Sequence, residues 1–283
     1  MQVTWIIERW IFDNSDNYQS ELDLIAEIKK QGHNVEVIDA HKYDWRDRMY
    51  QLLKKNPYPE VIPTLFRGSL NVAREIYRST SWTPGVYLGK SDNNKLTNFN
   101  CSTYNTYWGE YLLNNTYSLL PLQEVYRQYK NNKLFIRPDS GMKTFAGQVI
   151  NLNESNKLKD IHPETLVLVD TVKPVSKEWR FVVCDNRIVT GCQYMKEGKY
   201  VSESSPEELN KVQDWLTQVL NKVKWLPDLI YTIDVCESEG TLYILELNSF
   251  SCSNFYSCDL SKIVEAANEV AIADWKEVYI YIS

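Results

Sequence analysis

The chain has 283 residues, 43% hydrophobic and 24% charged, with a formal net charge of −6. That is the profile of a globular protein with room for one large core or two to three smaller lobes. No apolar run approaches the roughly 20 residues of a membrane span, and the acidic balance disfavours general binding to nucleic acid or to an anionic membrane.

Met1–Arg9 contains Glu8 and lacks a basic n-region with a small-residue cleavage site, so it does not read as a signal peptide. There are six cysteines and three histidines, with no CxxC, which argues against a zinc site. Reduced, mostly buried thiols in a cytoplasmic protein are the expectation. Cys184 and Cys192 flank an expected hairpin and are the pair to check for proximity.

The first hundred residues alternate strand and helix. Val3–Ile7 reads as a strand, and Leu22, Leu24, Ile25 and Ile28 have helical spacing through Lys30. Gly32 supplies a helix stop. Strands are expected at Val35–Ile38, at Val61–Phe66 and at Val86–Leu88, with Ser69 capping a helix through Tyr77. This order predicts a small, mainly parallel sheet covered by helices.

Ser91–Asn105 is rich in Asn, Ser, Thr and Asp and reads as a loop. Apolar spacing from Tyr107 to Asn131, broken by Pro121, predicts two helices. Lys133–Arg137 is a strand stopped by Pro138. The segment Asp139–Gly147 holds two glycines, Lys143 and Thr144, and reads as a mobile cationic loop. It is not a Walker A sequence, and the chain lacks the Rossmann glycine pattern.

Thr165–Val169 is a buried strand. Glu178–Cys184 and Arg187–Tyr194 form a hairpin turning at Asp185-Asn186. Ser205-Pro206-Glu207-Glu208 starts a helix that runs to about Val223. Strands ending at Asp234 and at Glu246-Leu247-Asn248 follow, then a polar loop Ser249–Cys258, a helix Leu260–Trp275, and an edge strand at Val278–Ile282.

Strand side chains alternate with period two, so Glu246 and Asn248 point the same way. Asp234 closes the neighbouring apolar run Leu229–Ile233. Three hard oxygen donors at neighbouring strand ends suit Mg²⁺, although a solvated strand end has the same composition. Arg137 and Lys143 precede this set, and Glu178 and Arg180 lie between. Cations before and metal ligands after are what a polyphosphate held between two lobes requires. Arg180 has a plainer reading as well, a salt bridge to Glu178 on the same strand face.

The chain resembles the ATP-grasp superfamily, and within it the clade in which an Arg replaces the usual ATP-binding Lys. Phe135-Ile136-Arg137-Pro138 with Lys143-Thr144-Phe145-Ala146-Gly147, the Glu178-Trp179-Arg180 strand, Tyr231–Val235 and Leu245–Asn248 carry the resemblance in order. Arg67-Gly68-Ser69 resembles a turn of the clade's N-terminal domain.

The resemblance implies an α/β protein with α+β lobes: an N-terminal pre-ATP-grasp β-α-β domain at 1–100, a small ATP-grasp lobe at 101–164 and a C-terminal lobe with the metal site at 165–283. It implies that Asp234, Glu246 and Asn248 hold one or two Mg²⁺, with Mn²⁺ as a substitute, and that Arg137 and Lys143 contact the ATP phosphates. Val169 and Asp170 become the adenine hinge, and Glu178 approaches the ribose. Arg180 stabilises the transferring phosphoryl group. Ser251, Ser253 and Asn254 shape the acceptor pocket. Arg67 is either a turn residue or a clamp for a substrate carboxylate.

The implied activity joins a small-molecule or peptide carboxylate to an amine through an acyl phosphate, in a cytoplasmic enzyme for which a homodimer is compatible. The alternatives are a small-molecule kinase on the same fold and a nucleotide-binding interaction protein without turnover.

Overall fold

The computed structural model describes residues 1–9, 18–38, 61–90, 93–129, 132–151, 158–202 and 205–279. In the N-terminal part, β1 (Thr4–Glu8), α1 (Tyr18–Lys30), β2 (Asn34–Ile38), β3 (Thr64–Arg67), α2 (Leu70–Ser79) and β4 (Pro84–Gly85) build a parallel sheet of order β2-β1-β3-β4. Every residue of β1 is buried, as a sheet covered on both faces demands. Trp5 and Ile7 pack toward Leu24 and Ile28 of α1. Ile6 packs the other way, toward Val72, Ala73 and Ile76 of α2.

Both helix boundaries follow from local chemistry. Gly32 sits at φ +83°, and the N–H groups of Gly32 and His33 return to the carbonyls of Lys29 and Ile28. The Ser69 hydroxyl accepts from the Val72 N–H and starts α2. The strand expected at Val86–Leu88 falls instead at Pro84–Gly85.

The second sheet is antiparallel. It contains β5 (Ser118–Pro121), β6 (Lys133–Pro138), β7 (Gln148–Asn151) and β8 (Leu166–Asp170), ordered β5-β8-β6-β7. The strand Leu166–Asp170, placed by sequence at the head of the C-terminal lobe, therefore pairs with strands from the segment before it. Here the helical reading of Tyr107–Pro121 fails. A helix, α3 (Cys101–Trp108), starts inside the expected loop and ends at Trp108, and a single 3₁₀ turn follows it. The Leu113 N–H then bonds the Ile244 carbonyl at 2.9 Å, and Leu112 bridges to Ile244, which draws the backbone out of helix. The second expected helix is present as α4 (Leu122–Gln128), and Asn131 lies outside the described residues.

The third sheet has order β11-β10-β9-β12-β13, from β9 (Lys177–Cys184), β10 (Arg187–Lys196), β11 (Lys199–Tyr200), β12 (Ile230–Ser238) and β13 (Thr241–Ser249). The turn at Asp185-Asn186 has φ of +46° and +60°, the left-handed pair of a tight hairpin. Gly191 faces Phe181 across the ladder, and a Cβ there would stand 2.2 Å from the Phe181 ring.

Between β11 and β12 runs α5 (Pro206–Lys222), capped by the Ser205 hydroxyl. The chain closes with α6 (Leu260–Tyr279), so Val278 is helical rather than part of an edge strand, and residues 280–282 lie outside the described residues. Among the described residues no helix is long and apolar enough to cross a membrane.

Alternation divides this sheet cleanly. Trp179, Phe181, Val183, Tyr231, Ile233 and Val235 form one core with Val212, Leu216, Val219 and Leu220 of α5. Burying each such side chain is worth roughly 1.5–3 kcal/mol. A slip of one residue would reverse the faces, so this core fixes Glu178, Arg180, Asp234, Glu246 and Asn248 on the other face. Cys184 stands opposite Arg187 and Cys192 opposite Arg180, on separate rungs. The neighbour of Cys192 is Cys258 instead.

Candidate active site

Register creates the site. Asp234 pairs with Arg180 on one side and with Glu246 on the other, and Asn248 lies opposite Thr232. A bulge beside Asp234 shifts the β12–β13 ladder there. Contrary to the sequence reading, Asp234 does not end its strand, because β12 continues to Ser238 between two partners.

Arg180 grips Asp234 with two hydrogen bonds, Nε to Oδ1 at 2.7 Å and Nη2 to Oδ2 at 2.6 Å. Its Nη1 donates to the Asn254 carbonyl at 2.8 Å. The guanidinium also lies 4.9 Å from the Tyr256 ring centroid, and Tyr256 stacks on Tyr194. Glu178 does not pair with Arg180; its carboxylate accepts from the Tyr194 hydroxyl. Burial raises the Glu178 pKa, with Asp234 and Glu246 adding to the rise and the Tyr194 bond opposing it.

Glu246 is the meeting point of cations from the second sheet. Arg137 Nη2 donates to its Oε2 at 2.8 Å. Lys143 Nζ stands 3.2 Å from its Oε1 and also donates to Asn248 Oδ1. Asn248 returns a bond from Nδ2 to Glu246 Oε1 at 2.9 Å. Burial alone would raise the Glu246 pKa, but Lys143 and Arg137 outweigh it and hold the carboxyl well below the usual range. Burial opposes the Arg137 charge too, and the facing groups, Glu246 among them, keep it raised.

The loop bearing Lys143 is tied to the start of α3. The Asp139 carboxylate accepts from the Ser102 N–H at 2.7 Å, and Asn100 Oδ1 accepts from the Gly141 N–H at 3.0 Å. The cleft beside these groups is bounded by Leu70 of α2, Phe99, the Lys143 loop, Arg180 and Asn248 of the third sheet, and Asn254.

The family assignment follows from sequence comparison. A model of the ATP-grasp domain, family 2 of the arginine-for-lysine clade, matches residues 113–266, more than half of the chain. The chain belongs to the arginine-for-lysine clade of ATP-grasp domains. D-alanine–D-alanine ligase from Bacillus anthracis is similar over 100% of both chains, with TM-score 0.55 and 13% identity. The same ligase complexed with ATP is similar over 98% of both, with TM-score 0.54 and 13% identity. A RimK domain ATP-grasp protein from Sphaerobacter thermophilus covers 98% of this chain and 99% of its own, with TM-score 0.47 and 11% identity. At such identity the likeness to the Bacillus anthracis ligase shows the ATP-grasp fold. No curated protein matches the sequence.

Within this ATP-grasp frame the other expected residues scatter more widely. Val169 is buried inside β8, between β5 and β6. Asp170 accepts from Thr116 Oγ1 at 2.9 Å and from Lys173 Nζ at 3.0 Å. Ser251 is fully buried and acts as a joint: its Oγ accepts from the Tyr87 N–H and its carbonyl from the Gly68 N–H, both at 2.9 Å. The Ser253 hydroxyl bonds the Ser249 carbonyl at 2.6 Å, and its own carbonyl accepts from Arg67 Nη1 at 2.6 Å. Arg67 is buried, with its guanidinium 3.9 Å from the Phe255 ring centroid.

Tyr194, Tyr256, Leu70 and Phe99 are the site residues that sequence reasoning missed. Tyr194 shares a face with Cys192 by period two, but the pairing of Cys192 with Arg180 depends on a register shift between Ile188 and Thr190 that the sequence does not reveal. Tyr256, Leu70 and Phe99 had no signal.

Glu246 and Asn248 offer hard oxygen donors of the kind a divalent cation takes, while both oxygens of Asp234 are held by Arg180. Among the described residues no three His, Cys, Asp or Glu side chains cluster for a metal; the set here is two carboxylates and an amide. The Lys143 ammonium already stands as a cation against Glu246 and Asn248, and those same oxygens suit Mg²⁺.

Proposed function

We propose that this chain is an ATP- and Mg²⁺-dependent ligase that joins a carboxylate to an amine. The observation that carries the reading is the convergence of Arg137 and Lys143 from one sheet, and Arg180 from another, on the Asp234–Glu246–Asn248 row. Family membership supports it, because the members are ATP-dependent ligases. The lobe division at residues 100 and 164 belongs to the same proposal.

A carboxylate is a poor electrophile. Attack of its oxygen on the γ-phosphorus of ATP releases ADP and leaves an acyl phosphate. Attack of the amine nitrogen on the acyl carbon then expels phosphate, and the nitrogen loses its proton. Glu246 and Asn248, with Asp234, would hold Mg²⁺, which when bound neutralises phosphate oxygens. Arg137 and Lys143 bind the phosphates, and the Gly-flanked loop of Lys143 closes over them and excludes water. Arg180, fixed by Asp234 and Asn254, offers charge to the phosphoryl group in transfer.

The end of β8 at Val169 and Asp170 receives the adenine, and Glu178 the ribose. The acceptor side is the loop after Asn248, where Ser253 and Asn254 line the cleft. Mn²⁺ would serve in place of Mg²⁺.

The test is release of ADP and phosphate from ATP, Mg²⁺ and pooled acids and amines. The ligase reading predicts release only when an acid and an amine are both present. A stable phosphorylated product would contradict it and point to a kinase. Glu246→Gln should cut turnover at least 100-fold while the circular dichroism spectrum stays unchanged.

A further inference from the structure

Behind Arg180, away from the phosphate-binding row, two thiols face each other. Cys192 on β10 and Cys258 at the end of the acceptor loop are both buried, 3% and 5% exposed, and their sulfurs stand 3.2 Å apart. They are brought together from 66 residues apart in the chain. The turn carrying Cys258 is seated on β10. The Cys258 N–H donates to the Phe255 carbonyl at 3.0 Å, and the Cys192 thiol meets that same carbonyl at 3.8 Å. Cys258 Sγ also lies 3.7 Å from the carbonyl of Arg180.

The two thiols are chemically unequal. The Cys258 S–H donates to Cys192, which lowers the Cys192 pKa and raises that of Cys258. Of the other thiols, Cys101, Cys184 and Cys236 are also buried and Cys252 is half-buried.

We propose that Cys192 and Cys258 form a redox modification site, closing to a reversible disulfide that staples the acceptor loop to β10. An S–S bond of about 2.0 Å needs the sulfurs to approach by only ~1 Å. With hydrogen peroxide as oxidant, the Cys192 thiolate attacks the O–O bond, forming a sulfenic acid and releasing hydroxide, which takes up a proton as water. The Cys258 thiolate then attacks the Cys192 sulfur and a second water leaves. The balance is two thiols and one peroxide to one disulfide and two waters. A dithiol reverses it.

The staple would fix the turn whose Asn254 carbonyl holds Arg180. The proposal does not depend on the ligase reading, and its test uses no turnover.

The full chain is treated with hydrogen peroxide under native conditions. It is then unfolded, alkylated, and mapped by mass spectrometry without reduction. The expected result is a mass lower by two hydrogens and a linked peptide pair containing Cys192 and Cys258, lost on dithiothreitol treatment. The melting midpoint of the oxidised protein should rise by about 5 °C. Cys192→Ser should give no linked pair. Full alkylation of Cys192 and Cys258 after peroxide, or oxidation confined to Cys252, would overturn the proposal. So would linkage of either residue to another cysteine. The wild-type map decides the matter even if the Ser variant fails to fold.

Discussion

Arg180 and Asp234 form a bidentate ion pair with side chains 8% and 2% exposed. Removing one member leaves the other charged and buried, which costs about 3–5 kcal/mol, whereas replacing both by apolar groups is far milder. Arg180→Met should therefore lower stability by about 3–5 kcal/mol in urea unfolding, and Arg180→Met with Asp234→Leu should recover most of it. Equal losses in the single and double variants would show that the pair is not coupled.

A second residue governs stability against pH. Glu21 is 5% exposed, and burial raises its pKa from the ordinary 4.5 to about 7, partly offset by Arg67. Between these values the folded chain keeps a proton that the unfolded chain has lost. Stability from this group is thus full below pH 4.5, falls as pH rises toward about 7, and levels beyond. The loss is on the order of 3 kcal/mol. Denaturant unfolding at several pH values should show this slope in the wild type and not in Glu21→Gln; an unchanged slope in the variant would reject it.

At this scale the sequence revealed which side chains share a face. Period two placed Glu246 with Asn248 correctly, and it placed Glu178 with Arg180. It did not reveal partners. Arg180 binds Asp234 and not Glu178, because cross-strand neighbours depend on register, and register is set by the buried residues on the opposite face.

Among the elements, the loop Asp139–Gly147 matters most. Its Lys143 ammonium rests on Glu246 and Asn248, whose oxygens are proposed to hold the divalent cation. Lys143→Met removes that resident charge. Turnover should fall at least 10-fold, while Mn²⁺ binding without nucleotide, read by electron paramagnetic resonance, should tighten. Weaker Mn²⁺ binding in the variant would mean that the lysine does not compete for those oxygens.

Element legibility was uneven for physical reasons. The hairpin at Asp185-Asn186, the Ser69 and Ser205 caps and the Gly32 stop were legible because their chemistry is local. The segment after Trp108 was not. Its apolar spacing suits a helix, yet pairing of Leu112 and Leu113 with Ile244 on a distant strand prevails. The continuation of β12 past Asp234 has a similar origin, since its partners on both sides extend as far as Lys177 and Thr241.

At the scale of the whole molecule, one loop joins the parts. Gly68 and Tyr87, just past strands β3 and β4 of the N-terminal sheet, bond to Ser251, and Arg67 at the end of β3 bonds to Ser253. The same loop presents Asn254 to Arg180. The end of the cleft proposed to take the acceptor is thus tied to the N-terminal part, while the end proposed to take the phosphates is built from the Arg137 strand, the Lys143 loop and Glu246. This division suits a reaction in which one end of the cleft handles ATP and the other selects what is joined.

The most direct measurement follows the oxygen atoms. The chain is incubated with ATP, Mg²⁺ and pooled amino acids and short peptides whose carboxylates carry ¹⁸O. Ligation through an acyl phosphate predicts an amide product together with one ¹⁸O in the released phosphate for each bond formed. Phosphate free of ¹⁸O alongside an amide product, or a stable phosphorylated acceptor with no amide, would contradict it.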